Sequence, residues 1–192
     1  MTEKYLAQVQ NLTADLSTDN DGSIQYLLVS LAGREYGVQL ASLQEVLRYN
    51  QSGVAPVPNT PVWLEGIFSL RGTIISVVSL RVFLGLPRAD EIKQVSAQRS
   101  AGIGQLFGLG APIPRLLVLQ NNELVVGVVV DDIRGVISVR PESVVPVTDQ
   151  AHPIFPYLEG AYADSETKKE TWLLDVTRLL NSPEMLAFEP VL

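Results

Sequence analysis

The sequence predicts an all-β protein with short helices, built from two small five-stranded β-barrels packed together. The first observation is composition: 46% of the 192 residues are hydrophobic and 18% are charged, enough apolar content for a sizeable core. The second is a series of short β-branched segments separated by Gly, Pro and Asn, which is typical of antiparallel strands. The third is that the order of these segments occurs twice. Closure into barrels is favoured because it leaves no unpaired edge strand.

The first half begins with a hairpin over residues 24–39, whose two apolar strands are separated by Ala32-Gly33. Residues 41–49 predict a short helical turn that runs into another strand. A proline-rich stretch then interrupts regular structure. Residues 63–80 predict two further strands, and residues 81–87 a short helix that ends at a glycine and a proline.

The second half repeats this order. The matched segments are 27–29 with 116–118, 36–38 with 126–128, 63–66 with 157–160, and 84–87 with 180–183. The offset between the halves rises from 89 to 96, as small loop insertions would produce. We interpret the chain as a duplicated unit of five strands and a short helix.

This repeat defines the predicted organisation of the chain. A single domain over residues 23–185 contains two interlocked barrels. The predicted segments are an N-terminal arm (1–22), a first barrel (about 23–87), a flexible linker (88–114), a second barrel (about 115–185) and a C-terminal tail (186–192).

Composition narrows the function classes. Cysteine is absent, which removes thiolate nucleophiles and disulfides, and the formal net charge is −7 without a dense Lys/Arg cluster. Such a chain repels a phosphate backbone, so nucleic acid is not an expected partner. The N-terminus lacks the apolar region of a signal peptide, and no apolar run approaches the length of a membrane span. We therefore expect a cytoplasmic protein.

No catalytic, metal or cofactor motif emerges. The glycines between residues 102 and 110 lack the dinucleotide-binding spacing and a following helix. Asp131 and Asp132 are adjacent on a strand and should point to opposite faces, so together with Asp175 they make a poor cation site. The single histidine, His152, has no serine or acid at triad spacing. The sequence favours a non-catalytic interaction module; the alternative is a small β-barrel ligand-binding protein or enzyme that uses the cleft between the halves.

Arg71-Gly72 interrupts an otherwise apolar run over residues 68–80. Its counterpart in the second half, residues 160–176, has a polar and charged turn at the matching place. We therefore predict that the pair forms the bend between two strands, where the arginine reaches water.

An ordered set of residues is similar to the CheW family of chemotaxis coupling proteins, from about residue 24 to 185. The residues are Tyr36-Gly37-Val38, Leu43-Gln44-Glu45-Val46, Asn59-Thr60-Pro61, Gly66, Leu70-Arg71-Gly72, Val77-Val78 and Leu80-Arg81, followed in the second half by GVVVDDIRGVI, YLEG and LLDVTRLLNSPEM.

The resemblance implies two SH3-like barrels and an adaptor without enzymatic activity. Such an adaptor couples the cytoplasmic tips of methyl-accepting chemotaxis receptors to the regulatory domain of the histidine kinase CheA, and is held at membrane arrays through these partners. It needs no cofactor and no membrane insertion of its own. A second interpretation within the class is an adaptor of a non-flagellar chemosensory pathway, such as one that controls pilus-driven motility.

The resemblance also implies site residues. Those on the receptor side are Arg71, Glu45, Leu43, Gly66, Leu70 and Gly72. Those on the kinase side are Val126, Val128, Val130, Val136, Ile137 and Val139. The kinase-side residues have a second explanation that the sequence leaves open, since a strand covered on both faces is apolar whatever covers it. Whether Arg71 pairs with Glu45 or with a carboxylate of a partner also stays open.

Two positions depart from the usual family pattern. Ser69 stands where the family usually has Asn, and Ser79 where it usually has Asp, while Asp175 keeps the acid at the equivalent position of the second half. The linker is also longer than usual. These departures leave open which chemosensory pathway the protein serves.

Overall fold

The computed structural model describes residues 22–86, 113–122, 124–164 and 169–187. These residues form ten strands: β1 Ile24–Leu31, β2 Arg34–Gln39, β3 Leu43–Arg48, β4 Leu64–Leu70, β5 Thr73–Ser79, β6 Arg115–Asn121, β7 Leu124–Val130, β8 Asp132–Val139, β9 Leu158–Ala163 and β10 Glu170–Leu174. The short helices among them are α1 Leu80–Phe83, α2 Val176–Leu180 and α3 Pro183–Leu186. Within these ranges no helix has the length and apolarity to cross a membrane. The predicted arm and most of the linker and tail lie outside the described residues.

The strands form two five-stranded sheets. Sheet A has the order β8-β1-β2-β10-β9 and sheet B the order β3-β6-β7-β5-β4. A β-bridge between Val145 and Ala161 joins the segment after β8 to β9, and a bridge between Ala55 and Ile67 joins the segment after β3 to β4. Each bridge connects the two edges of its sheet, so each sheet curls towards closure. The predicted pair of five-stranded barrels is confirmed.

Each barrel draws strands from both halves of the chain, and here the structure differs from the prediction. Sheet A combines β1 and β2 with β8, β9 and β10, whereas sheet B combines β3, β4 and β5 with β6 and β7. The ranges 23–87 and 115–185 therefore delimit the repeats and not the barrels. Within each sheet the two halves are joined by one parallel and one antiparallel pair, which are β2–β10 and β1–β8 in sheet A and β5–β7 and β3–β6 in sheet B.

The duplication itself is visible in the topology. Replacing each strand of sheet A by its counterpart five strands away gives the order of sheet B. The register of the first strand needs correction, however. Leu28 pairs with Gly37 and Val118 pairs with Gly127, so equivalent residues of β1 and β6 are 90 apart and not 89. A slip of one residue exchanges the two faces of a strand, so the equivalent of Leu27 is Leu117.

Most buried side chains belong to one core shared by the two barrels. Leu27 and Val29 from sheet A meet Leu117 and Val128 from sheet B there, together with Leu179 of α2, and all five side chains are fully buried. A smaller cluster fills the interior of each barrel. Those clusters are Tyr26, Val139 and Leu173 in sheet A, and Val54, Val77 and Leu116 in sheet B. The shared core makes the two barrels one folding unit, because each side chain that it buries contributes about 1.5–3 kcal/mol.

The hairpin turns follow the prediction. Ala32 and Gly33 have φ values of 52° and 83°, and Arg71 and Gly72 have φ values of 51° and 92°. Positive φ at both central residues is the combination that a two-residue type I′ turn requires. The prediction that Arg71-Gly72 forms the bend between two strands is confirmed.

The departure at Ser79 has a local consequence. Asp175 caps α2 by accepting a hydrogen bond from the backbone N–H of Arg178 at 2.9 Å. Ser79 occupies the equivalent position before α1, and its side chain makes no capping hydrogen bond. A helix cap is worth about 1 kcal/mol, so α1 depends more than α2 on packing against the shared core.

A tyrosine hydroxyl binds the glutamate of each Leu-Glu-Gly segment. Tyr26 donates to Glu159 at 3.0 Å in sheet A, and Tyr49 donates to Glu65 in sheet B. Burial and the carboxylate of Glu159 raise the pKa of Tyr26 above its ordinary value of 10.0. Burial and the hydrogen bond to Glu65 raise the pKa of Tyr49 in the same way.

These tyrosines predict a loss of stability in alkali. Above about pH 10 the unfolded chain releases phenol protons that the folded chain retains, so the contribution is complete below pH 10 and declines above it. We expect the free energy of unfolding to fall by up to about 1.4 kcal/mol per pH unit for each of the two tyrosines. Urea unfolding at a series of alkaline pH values measures this slope, which should be shallower in Tyr26→Phe. An equally steep slope in that variant would contradict the assignment.

Candidate protein-binding site

The β4–β5 turn presents Arg71 to solvent. Its side chain is 79% exposed. Gly72 follows with φ of +92° and no atom within 4 Å of the position that a Cβ would occupy. The turn thus places a cation on an open surface that the backbone of another molecule can approach closely.

Glu45 of β3 is the carboxylate that Arg71 contacts. Nη2 of Arg71 lies 3.0 Å from Oε1 of Glu45, whose side chain is 21% exposed. β3 and β4 are the two edges of sheet B, and the bridge between Ala55 and Ile67 that connects these edges brings the pair together. The contact answers one open question of the sequence analysis: within this chain, Arg71 pairs with Glu45.

The ion pair does little for stability. An exposed pair of this kind contributes about 0–1 kcal/mol. In the described part of the chain, the only hydrogen bond of Arg71 runs from Nη2 to Glu45. A guanidinium has several N–H donors in a planar fork, so donors remain for a second carboxylate.

The remaining receptor-side residues differ in how much of their surface is exposed. Leu43 is 6% exposed and lies in the shared core. Gly66 is buried against the carbonyl group of Ala55, and Leu70 is half-buried at the end of β4. Leu43 and Gly66 are therefore out of a partner's reach without rearrangement, whereas Arg71, Glu45, Gly72 and the half-buried Leu70 present surface to it.

The kinase-side residues are mostly in the protein core. β7 lies in the middle of sheet B between β6 and β5, and its Val126, Val128 and Val130 are at most 4% exposed. Val139 is also buried. Burial accounts for the apolar character of these four residues, and it leaves them no surface to offer a partner. Val136 and Ile137 of β8 are half-buried and differ from the others in this respect.

Three aspartates and the single histidine, which are candidates for a metal or catalytic site, contact other residues of the protein. Asp131 contacts Arg81, Asp132 contacts Arg134, and Asp175 contacts Arg178. The three carboxylates thus have three separate partners. The ring of His152 packs edge-on against Trp172 at 4.9 Å between centroids, and its Nδ1 accepts from the backbone N–H of Ile154 at 3.3 Å.

Sequence reasoning missed an open groove beside Glu45. It has a volume of about 590 Å³ and is lined by residues 41–44 and 120–122. Gln44 donates to the side-chain oxygen of Gln120, and Gln120 donates to the backbone carbonyl of Asn122 at 2.7 Å. No local sequence signal marks the groove, because the pairing of β3 with β6 that brings residues 120–122 to Gln44 is long-range.

A duplicated pair of small barrels with an exposed charged turn and a neutral groove defines a β-barrel interaction module. The model of the CheW-like domain matches residues 25–184. The chain belongs to this family of chemotaxis adaptor proteins.

Individual relatives agree with this membership. Chemotaxis protein CheW of Klebsiella aerogenes is 29% identical over 168 residues, covering 87% of each chain. Chemotaxis protein CheW of Treponema pallidum is 25% identical over 170 residues, covering 86% of this chain and 87% of its own. The crystal structure of scaffolding protein TtCheW from Thermoanaerobacter tengcongensis superposes with a TM-score of 0.64 at 21% identity, over 84% of this chain and 95% of that one, and shares its fold.

Proposed function

We propose that this protein is a non-catalytic adaptor that couples methyl-accepting chemotaxis receptors to the histidine kinase CheA in cytoplasmic arrays. Membership of the CheW-like family supports the class. The observation that carries the residue-level proposal is the Arg71–Glu45 pair, an exposed arginine held by one carboxylate and open to another.

The receptor contact is proposed at the β4–β5 turn. Glu45 limits the positions that the Arg71 side chain samples, which reduces the entropy lost when a partner binds. The planar guanidinium can then bind a carboxylate of the receptor tip in a bidentate manner, which lysine cannot do. Leu43, Gly66 and Leu70 support this surface from below, and Gly72 lets the receptor backbone approach.

The kinase contact is proposed on β8. In the described part of the chain this strand is an edge of sheet A, hydrogen-bonded along its length to β1, and it carries the half-buried Val136 and Ile137 beside the exposed Arg134 and Ser138. Val136 and Ile137 are adjacent, so they face opposite sides of the strand and pack against different core clusters. Each would offer a partner its exposed part, next to the exposed polar residues. Val126, Val128, Val130 and Val139 would act only by holding the barrels in shape.

Arg71→Ala should separate the two partners. We expect it to weaken binding of a cognate receptor cytoplasmic fragment by about tenfold or more, the loss of one charge-assisted contact. Binding of the CheA regulatory domain should be unchanged, and the free energy of unfolding should change by less than about 1 kcal/mol. Titration calorimetry with each purified partner measures both affinities.

Two further variants sharpen the test. Arg71→Lys keeps the charge and should not restore receptor binding. The exchange Glu45→Arg with Arg71→Glu can restore an internal ion pair and should still bind the receptor poorly, because the guanidinium is displaced. Equal loss of both partners in Arg71→Ala would show that Arg71 is structural. Failure of the unaltered protein to bind either partner would overturn the proposed function.

The proposal includes two candidate pathways for the adaptor. The first is flagellar chemotaxis, and the alternative is a non-flagellar pathway that controls pilus-driven motility. Co-purification of the protein with one of the candidate kinases of its own organism would decide between them.

A further inference from the structure

The groove beside Glu45 has an unusual composition for a binding surface. Its lining combines the buried Leu43 as an apolar floor with the amide side chains of Gln44, Gln120, Asn121 and Asn122. None of its lining residues is charged, although the chain as a whole has a net charge of −7. The groove is therefore a neutral, amide-lined site in an acidic protein.

The amides support one another on one side of the groove. Gln44 contacts Gln120, and Asn121 donates to the side-chain oxygen of Asn181, the residue after α2, at 3.2 Å. These contacts join three parts of the chain: β3, β6 and the end of α2. The side chains are thus held in place before any partner binds, which lowers the entropic cost of binding.

Hydrogen-bonding capacity remains unused. An amide side chain has two donors and an acceptor oxygen. In the part of the chain that the structure describes, no hydrogen bond uses the side-chain oxygens of Gln44 or Asn121, or the side-chain amide of Asn122. These groups are exposed to water, so a partner must offer both donors and acceptors to replace it. Other amides and peptide groups do so, whereas a charged group would be desolvated here without a counter-charge.

The position of the groove connects it with the proposed receptor surface. Gln44 precedes Glu45 on β3, and the pairing of β3 with β6 is irregular between Leu43 and Glu45. Gln44 is the extra residue at this irregularity, so it stands next to the carboxylate that holds Arg71. A molecule that binds Arg71 and Glu45 would thus meet Gln44 as the next residue along β3.

We infer that this groove binds an uncharged, amide-bearing segment of the receptor tip beside the charged contact at Arg71. The inference rests on the proposed function and adds to it the chemistry of a second subsite. Arg71 selects a carboxylate, and the groove selects neutral Asn or Gln side chains or exposed peptide groups next to it. Receptor recognition then requires both features at a defined spacing.

The test introduces a charge without changing side-chain shape. Gln120→Glu can still accept from Gln44 but places a carboxylate in the groove and loses the hydrogen bond to the carbonyl group of Asn122. Asn122→Asp introduces the same charge at the turn without removing that hydrogen bond. Asn122 has φ of 52°, a conformation that Asp tolerates. Each variant should weaken binding of the receptor cytoplasmic fragment by about tenfold or more, the loss expected when a hydrogen-bonded site gains an uncompensated charge. Kinase-domain affinity should stay at the value of the unaltered protein in both variants, and the thermal midpoint should stay unchanged in Asn122→Asp, which keeps the hydrogen bond from Gln120.

A matched control carries the same change of charge. Gln150 is exposed and lies outside the groove, so Gln150→Glu should leave receptor affinity within about twofold. The inference is overturned if the unaltered protein binds the receptor fragment and Gln120→Glu and Asn122→Asp bind it equally well; the proposed function would then stand. It is also overturned if Gln150→Glu weakens binding as strongly, since net charge alone would explain the effect. Loss of all binding by the unaltered protein would refute the proposed function first.

Discussion

Gly66→Ala is expected to lower the free energy of unfolding by about 3 kcal/mol or more. A Cβ at this position would lie 2.2 Å from the carbonyl oxygen of Ala55 and 2.9 Å from Cγ1 of Val54. The nearest obstacle is backbone, which cannot rotate away as a side chain can. The φ of Gly66 is +144°, which adds strain for any residue with a Cβ. The clash occurs beside Ile67, whose bridge to Ala55 connects the edges of sheet B, so the variant should weaken that connection.

Gly33→Ala is the matched control for this prediction. Gly33 also has positive φ, at +83°, but no atom lies within 4 Å of its Cβ position. Its cost should be only the conformational term of about 1–2 kcal/mol. Urea unfolding followed by tryptophan fluorescence gives both values. If Gly66→Ala and Gly33→Ala cost the same, close packing against Ala55 does not account for the glycine.

Asp131→Ala is expected to lower the free energy of unfolding by about 3 kcal/mol. Asp131 accepts a hydrogen bond from the backbone N–H of Ala32 at 2.8 Å, and it contacts the guanidinium of Arg81, whose side chain is only 11% exposed. Ala32 belongs to the β1–β2 turn of sheet A, and Arg81 to the helix after β5 of sheet B. Asp131 therefore links the two barrels at the point where the chain crosses from β7 to β8.

Asp131→Asn separates the two contacts. The amide oxygen can still accept from Ala32, but the charge beside Arg81 is lost, so the cost should be smaller than in Asp131→Ala. In a double-mutant cycle with Arg81→Met, the combined loss should be less than the sum of the single losses. Additive losses would mean that the contact between Asp131 and Arg81 contributes nothing measurable to stability.

Several features of the fold could be predicted from the sequence because they depend on local chemistry. The Arg71-Gly72 bend followed from a cation and a glycine inside an apolar run, with a polar counterpart in the second half. The hairpin at Ala32-Gly33 followed from two apolar strands separated by a short segment with a glycine. The duplication followed from the repeated order of segments, and the equivalence of Gly37 with Gly127 holds in the structure. Each of these inferences used either residues that are close in sequence or a comparison between the two halves of the chain.

Other features could not be predicted because they depend on contacts between distant residues. An apolar run such as 124–130 is the same whether a partner or the protein itself covers it, and only the position of β7 inside sheet B shows that the protein does. The register error at Leu27 arose because residues 26–29 are all apolar, as are residues 116–119, so no polar side chain within either run marks the register. The amide groove exists only because β6 pairs with β3.

The strands, their turns, the repeat and the family to which the chain belongs all follow from the amino-acid sequence. These depend on side-chain periodicity, on the residues that tolerate positive φ, and on an ordered set of motifs. Which strands share a barrel is visible only in the folded structure. The same is true of the contact between Arg71 and Glu45, and of the burial of Val126, Val128, Val130 and Val139 in the core. The physical reason is that strand pairing and burial are set by the joint packing of both halves around one shared core, to which neither half contributes a complete barrel.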